Sequence, residues 1–113
     1  MSKQLNFNTV KKHYLTVTLA DEKNTTLLIG MPTKAMVETL SALQDSIDVV
    51  NEDETNIEAM DDVYNACAEL MSRNKVGVKI TSDYLGKIFD FEDIVIFFNA
   101  YMDFVDEFAK SKN

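Results

Sequence analysis

The chain is poor in the residues that punctuate a fold. It has three glycines and one proline among 113 residues, too few turn-formers for a many-stranded sheet, so long helices are favoured. A single cysteine, Cys67, excludes an internal disulfide and any cysteine-rich metal site, as expected of a protein kept in a reducing compartment. Cys67 also falls inside a helical apolar pattern, which marks a small buried residue rather than a nucleophile. The one histidine, His13, has no serine or cysteine beside it and reads as an ordinary strand-edge residue, not a general base. Long apolar runs are missing too. The longest, Ile94 to Phe98, is far short of a membrane span, and the opening MSKQLNFN has no apolar core of the kind an export signal needs. A soluble intracellular protein is expected. No phosphate-cradling glycine loop, nucleophile elbow or metal-spaced His/Cys pair occurs, so no catalytic residue, cofactor or metal is expected.

Basic charge is scarce as well. The net charge is −8, and nothing basic lies between Lys34 and Arg73, where ten carboxylates run from Glu38 to Glu69. Such a surface repels phosphate backbones, which argues against nucleic-acid binding. Calcium would want these carboxylates, yet EF-hand spacing and a turn glycine are missing. A solvated face, or a docking face for a basic partner, accounts for the stretch more simply.

What the chain does have is ordered periodicity. Residues 1–12 are polar, with Leu5, Phe7 and Val10 scattered among them, and read as a loose arm. From His13 to Ala20 the residues alternate, Leu15, Val17 and Leu19 on one face, and Thr25 to Gly30 alternate again. Joined by the polar residues 21–24, they make a β-hairpin over 13–30, ended by Pro32. Thr33 caps a helix over 34–50 that repeats Met36, Leu40, Leu43, Ile47 and Val50. Thr55 and Glu58 fit a capping box for a second helix over 56–74, with Ile57, Met60, Tyr64, Cys67 and Met71 as its buried stripe and Val63 and Leu70 widening it. Arg73 and Lys75 then lie in its last turn, where cations suit the helix dipole. Val76, Val78 and Ile80 alternate, as a third short strand or an extended connector would. A short helix over 82–89 and a long one over 91–110, capped by Asp90, complete an α+β, mostly helical single domain, 1–113.

The long helix is the richest feature. Phe91, Phe98 and Val105 occupy one heptad position and Ile94, Tyr101 and Phe108 the other, an unbroken seam. Val95 and Met102 flank it on one side, Phe97 and Phe104 on the other, giving an apolar arc of roughly 200° where about 100° suffices for a surface helix. Five of the seven phenylalanines lie here, and Ile96 falls on the polar side. One core contact cannot cover so much, and exposed clusters of this kind mark interaction sites. Ile96, Phe97, Tyr101, Phe104 and Phe108 are the candidate protein-binding residues.

The order of these segments, a hairpin YLTVTLADEKNTTLLIG, a helix start MPTKAMVETL, an acidic middle helix and the terminal FEDIVIFFNAYMDFVDEF, resembles the tail assembly chaperones of long-tailed, siphovirus-type bacteriophages and prophages. The resemblance spans Tyr14 to Phe108 and rests on element order and apolar spacing, with no chemical motif from which a functional residue carries over. It implies a small, acidic, non-enzymatic, mostly helical protein in the cytoplasm of a bacterial host. Such a protein binds the hydrophobic tape-measure protein, helps recruit tail-tube subunits and in some members self-assembles; this chain would suit the shorter of the two products such loci often make by frameshifting. A homo-oligomer is therefore expected, with no nucleic-acid or membrane partner. Six methionines supply the adaptable contact surface such a role needs. The alternative is a small acidic inhibitor that mimics DNA and acts on a host factor, its carboxylates between residues 38 and 69 standing in for phosphates.

Overall fold

The computed structural model of the protein describes residues 4–111. Its elements are strands β1 (Tyr14–Thr18) and β2 (Thr26–Gly30), then helices α1 (Lys34–Glu52), α2 (Ile57–Met71), α3 (Ser82–Ile88) and α4 (Phe91–Ser111). The fold is α+β and mostly helical. Of the arm expected over residues 1–12, residues 1–3 lie outside the described part. Leu5 and Phe7 are exposed, and Asn6 closes a local turn by accepting from the Asn8 and Thr9 amides.

The hairpin is antiparallel, with Leu15 opposite Ile29 and Val17 opposite Leu27. That register puts all four on one face, and the Leu27 and Ile29 side chains are fully enclosed. The connection is longer than a four-residue turn. Leu19 still donates to the Thr25 carbonyl at 2.8 Å, Asn24 takes a left-handed backbone (φ 49°), and the Asp21 carboxylate accepts from the Thr25 amide at 2.8 Å and its hydroxyl at 2.6 Å. Tyr84 on α3 donates its hydroxyl to the same carboxylate. With these donors gathered on it, chiefly Thr25 and then Tyr84, the Asp21 carboxyl is held down at about 2.

α1 buries Met36, Leu40, Leu43, Ile47 and Val50, and Thr33 caps it by accepting from the Met36 amide. The start of α2 differs from the capping-box expectation. Asn56 is the cap, accepting from the Ala59 amide at 2.9 Å, while the Thr55 amide and hydroxyl both donate to Asp53. Asn56 ranks with threonine or above it as a cap, and Asp53 draws Thr55 into a local turn instead. Of the expected stripe, Cys67 and Met71 are buried, as are Val63 and Leu70 beside it, and Met60 and Tyr64 are half-buried. Ile57 is instead 75% exposed, and Ala59 faces inward at that end of the helix. α2 also ends at Met71, so Arg73 and Lys75 lie beyond it rather than in its last turn.

Residues 76–80 form no strand; they are a connector organised by two polar side chains. Asn74 is buried, bridges to Ile29 of β2, donates to the Met71 and Val78 carbonyls at 2.8 and 2.6 Å and accepts from the Gly77 and Val78 amides at 2.8 and 3.0 Å. Gly77 sits at φ +86° with open space around it, a conformation that costs other residues. Ser72 donates to the Ile80 carbonyl and accepts from its amide, which seats Ile80 in the core. α3 contributes buried Leu85, and Tyr64 of α2 donates to the Phe89 carbonyl at 2.7 Å, fixing the turn into α4. One cluster of buried residues draws on β2, on all four helices and on Leu19 and Ile80.

Candidate functional site: an apolar groove along the last helix

α4 begins as its sequence dictates. The Asp90 carboxylate accepts from the Asp93 amide at 2.9 Å, and Asp93 returns the bond to the Asp90 amide at 3.0 Å. This reciprocal pair leaves two carboxylates where the helix dipole favours them. From there the buried residues are Ile94, Phe97, Phe98 and Tyr101, an i, i+3, i+4, i+7 stripe. It is turned toward the Phe97 side of the heptad seam. Phe91 and Val105 are only half-buried, and burial stops at Tyr101, because the last turns of α4 run past the core.

The five candidate binding residues therefore divide. Ile96 is 59% exposed, and Phe104 and Phe108 are half-buried. Phe97, expected beside the seam, and Tyr101, on the seam, are both part of the core, at 5% and 2% exposure. Tyr101 stacks between Phe97 and Phe104, ring centroids 6.1 and 6.0 Å away, and donates its hydroxyl to the Gly30 carbonyl at 2.7 Å. That bond ties α4 to the end of β2, and burial pushes the Tyr101 phenol up to about 12. Its role is architectural.

The exposed remainder lines a groove. Between β1 and the first half of α4 lies a trough of about 310 Å³, walled by Leu15 and Val17 on the strand side, by Ile96 and Ala100 on the helix, and closed at one end by Phe89 and Asp93. Phe97 lies in its floor. Farther along α4 a second depression of about 240 Å³ is formed by His13, Phe104, Glu107 and Phe108. Ala100, Phe104 and Phe108 are four residues apart and so lie along one line of the helix. The His13 ring meets that of Phe108 at 4.9 Å and closes the far end. Asp93 and Glu107 place a carboxylate toward each end of an otherwise apolar path. Because β1 pairs only with β2 among the described residues, its other edge has no strand neighbour.

Leu15, Val17, Phe89 and Ala100 were not among the candidates. The alternation of Leu15 and Val17 signalled one half-buried face but not what would cover it. Ala100, the small residue in a helix otherwise bulky on that side, is the signal that a depression forms there. The groove's titratable side chains are Asp93 in the trough and His13 and Glu107 in the second depression. Cys67 lies elsewhere, fully buried, its thiol pushed up to about 12 by burial. No three histidine, cysteine or acidic side chains among the described residues are grouped so as to hold a metal ion. No described helix is long and apolar enough to cross a membrane. No protein-family model matches the chain, and no curated protein or solved structure is detectably similar to it.

Proposed function

We propose that the protein is a non-enzymatic tail assembly chaperone of a long-tailed bacteriophage or prophage. It acts in the bacterial cytoplasm, binds apolar helical segments of the tape-measure protein through the β1–α4 groove and helps bring in tail-tube subunits. Self-association through the same face accompanies this, so that the groove is covered when no client is present. The observation that carries the reading is Ile96, a large aliphatic residue 59% exposed on a helix whose other large apolar residues are at least half-buried. An apolar trough bounded by Asp93 and Glu107 suits a helix with an apolar stripe and basic flanks.

The test is co-expression of a tape-measure protein with variants of this chain. Burying Ile96 is worth about 1.5–3 kcal/mol, roughly ten- to a hundredfold in affinity. Ile96→Asp should therefore leave the client insoluble while the helical spectrum and melting temperature stay as in wild type. Phe104→Asp should act in the same direction. Phe98→Asp, in the core, should unfold the protein. If Ile96→Asp keeps the client soluble as well as wild type does, the groove is not the binding surface.

A further inference from the structure

The second surface lies at the hairpin's open end, where β1 begins and β2 finishes. There a cleft of about 460 Å³ opens where residues 11–14, the β2–α1 turn, the segment after α2 and the end of α4 converge. Among the described residues four lysines and arginines, Lys11, Lys12, Arg73 and Lys75, line it, and no carboxylate side chain does. In a chain of net charge −8 that segregation is pronounced. Among the described residues none of the four side chains makes an ion pair; Lys75 instead rests its ammonium 5.3 Å from the Tyr14 ring centroid. The cleft's accessible apolar surface comes from Met31, Pro32, Tyr14 and Phe108. Beneath it Ile29, Met36, Leu70 and Tyr101 are already sealed, each no more than 2% exposed.

We infer that this cleft is a docking site for an acidic segment of a partner protein, one in which carboxylates flank an apolar side chain. The charges come from different parts of the chain, with an apolar patch inside them, so the matching ligand carries several negative charges around an apolar anchor. A single-headed amphiphile such as a fatty acid fits poorly, because its one charge would leave most of the four cations unmatched. A long polyphosphate fits poorly too, since on leaving the cleft it meets a surface more acidic than the whole chain's average. The site is distinct from the β1–α4 groove and does not rest on the function proposed for it.

The test is fluorescence anisotropy with a labelled peptide Glu-Asp-Glu-Leu-Phe-Glu-Asp-Glu, alongside the same peptide with lysine at every acidic position and a ten-nucleotide oligo(dA). The acidic peptide should bind, weaken at least tenfold between 50 and 300 mM salt, as screening of close charges requires, and outcompete the oligonucleotide. Arg73→Glu/Lys75→Glu should lower its affinity at least tenfold, and Lys11→Glu/Lys12→Glu should do likewise. Lys87→Glu, an exposed cation on α3, and Ile96→Asp should leave it unchanged. All four positions of the two double variants are exposed, and circular dichroism confirms folding. Equal binding of the lysine peptide, full binding by both double variants, or preference for the oligonucleotide would each overturn the assignment. So would light scattering showing that copies of the chain already fill one another's cleft and are released only by the peptide.

Discussion

Asn74→Ala puts the connector between α2 and α3 to the test, and with it the seat of Arg73 and Lys75. The side chain it removes makes four hydrogen bonds within a residue only 7% exposed. The Gly77 amide would keep a second acceptor, the residue-74 main-chain carbonyl at 3.2 Å, so three partners are orphaned: the Met71 and Val78 carbonyls and the Val78 amide. Each hydrogen bond contributes about 0.5–1.5 kcal/mol net, and a buried orphan costs more. Val78 is half-buried, and water reaching it would recover part of the loss. The expected destabilisation is about 2–4 kcal/mol, a large share of the ~5–15 kcal/mol that holds a domain together. In urea the midpoint should fall by roughly 1–2 M with an unchanged slope.

A local readout separates this from general weakening. The Lys75 amide donates to the Leu28 carbonyl at 2.8 Å, so its hydrogen exchange should accelerate more than that of Leu43 or Val63 in the core. Asn74→Asp keeps the acceptor for Gly77 and Val78 but faces a carboxylate to two carbonyls, and should be at least as damaging. A midpoint change worth less than about 0.5 kcal/mol for Asn74→Ala would show that the connector does not depend on this side chain.

Two further outcomes follow from the local chemistry. Asn56→Ala should cost about 0.5–2 kcal/mol as a lost helix cap, whereas Thr55→Ala, outside the helix and exposed, should cost less than half as much; the reverse order in denaturation would restore Thr55 as the cap. Asp21 has its folded value depressed from 3.8 to about 2, so its contribution is complete above about pH 4 and disappears as the pH falls through about 2. Asp21→Asn should flatten the acid limb of the melting curve between those values. An unchanged acid limb would show that the Thr25 and Tyr84 bonds do not favour the carboxylate.

Much of this architecture was legible in the sequence because it depends on local periodicity. The alternation over 13–30, the Met36–Val50 stripe and the Asp90 cap each involve residues within a turn or two of one another, and each is where the pattern put it. The misreadings came from competition between near-equivalent local choices. Thr55 and Asn56 are both good caps, and Asp53's claim on Thr55 leaves the cap to Asn56; separately, the buried stripe of α2 runs through Ala59 and Val63 at its start rather than through Ile57. On α4 the heptad count identified the apolar arc but not its rotation. That rotation is set by Tyr101 reaching the Gly30 carbonyl, a bond between residues 71 positions apart, and it is what carries Phe97 inward and leaves Ile96 and Phe104 beside the groove.

Charge was the property least readable along the chain. As a linear average, −8 suggests a uniformly acidic surface, and the basic residues at 11, 12, 73 and 75 look like isolated exceptions. The fold joins them through backbone contacts: the Ile29–Asn74 bridge and the Lys75–Leu28 bond lay the end of α2 against β2, while β1 brings the arm alongside. Asn74 is therefore more than a stabilising residue, since it fixes the two cations on either side of it relative to the hairpin. The apolar groove and the basic cleft meet at one place, the His13–Phe108 contact, which borders both. A client with basic flanks seated between Asp93 and Glu107 would therefore end at the border of the cleft, whose cations repel it. The two surfaces thus select opposite charges although they touch, and a single partner that occupied both would have to change the sign of its charge at the His13–Phe108 contact.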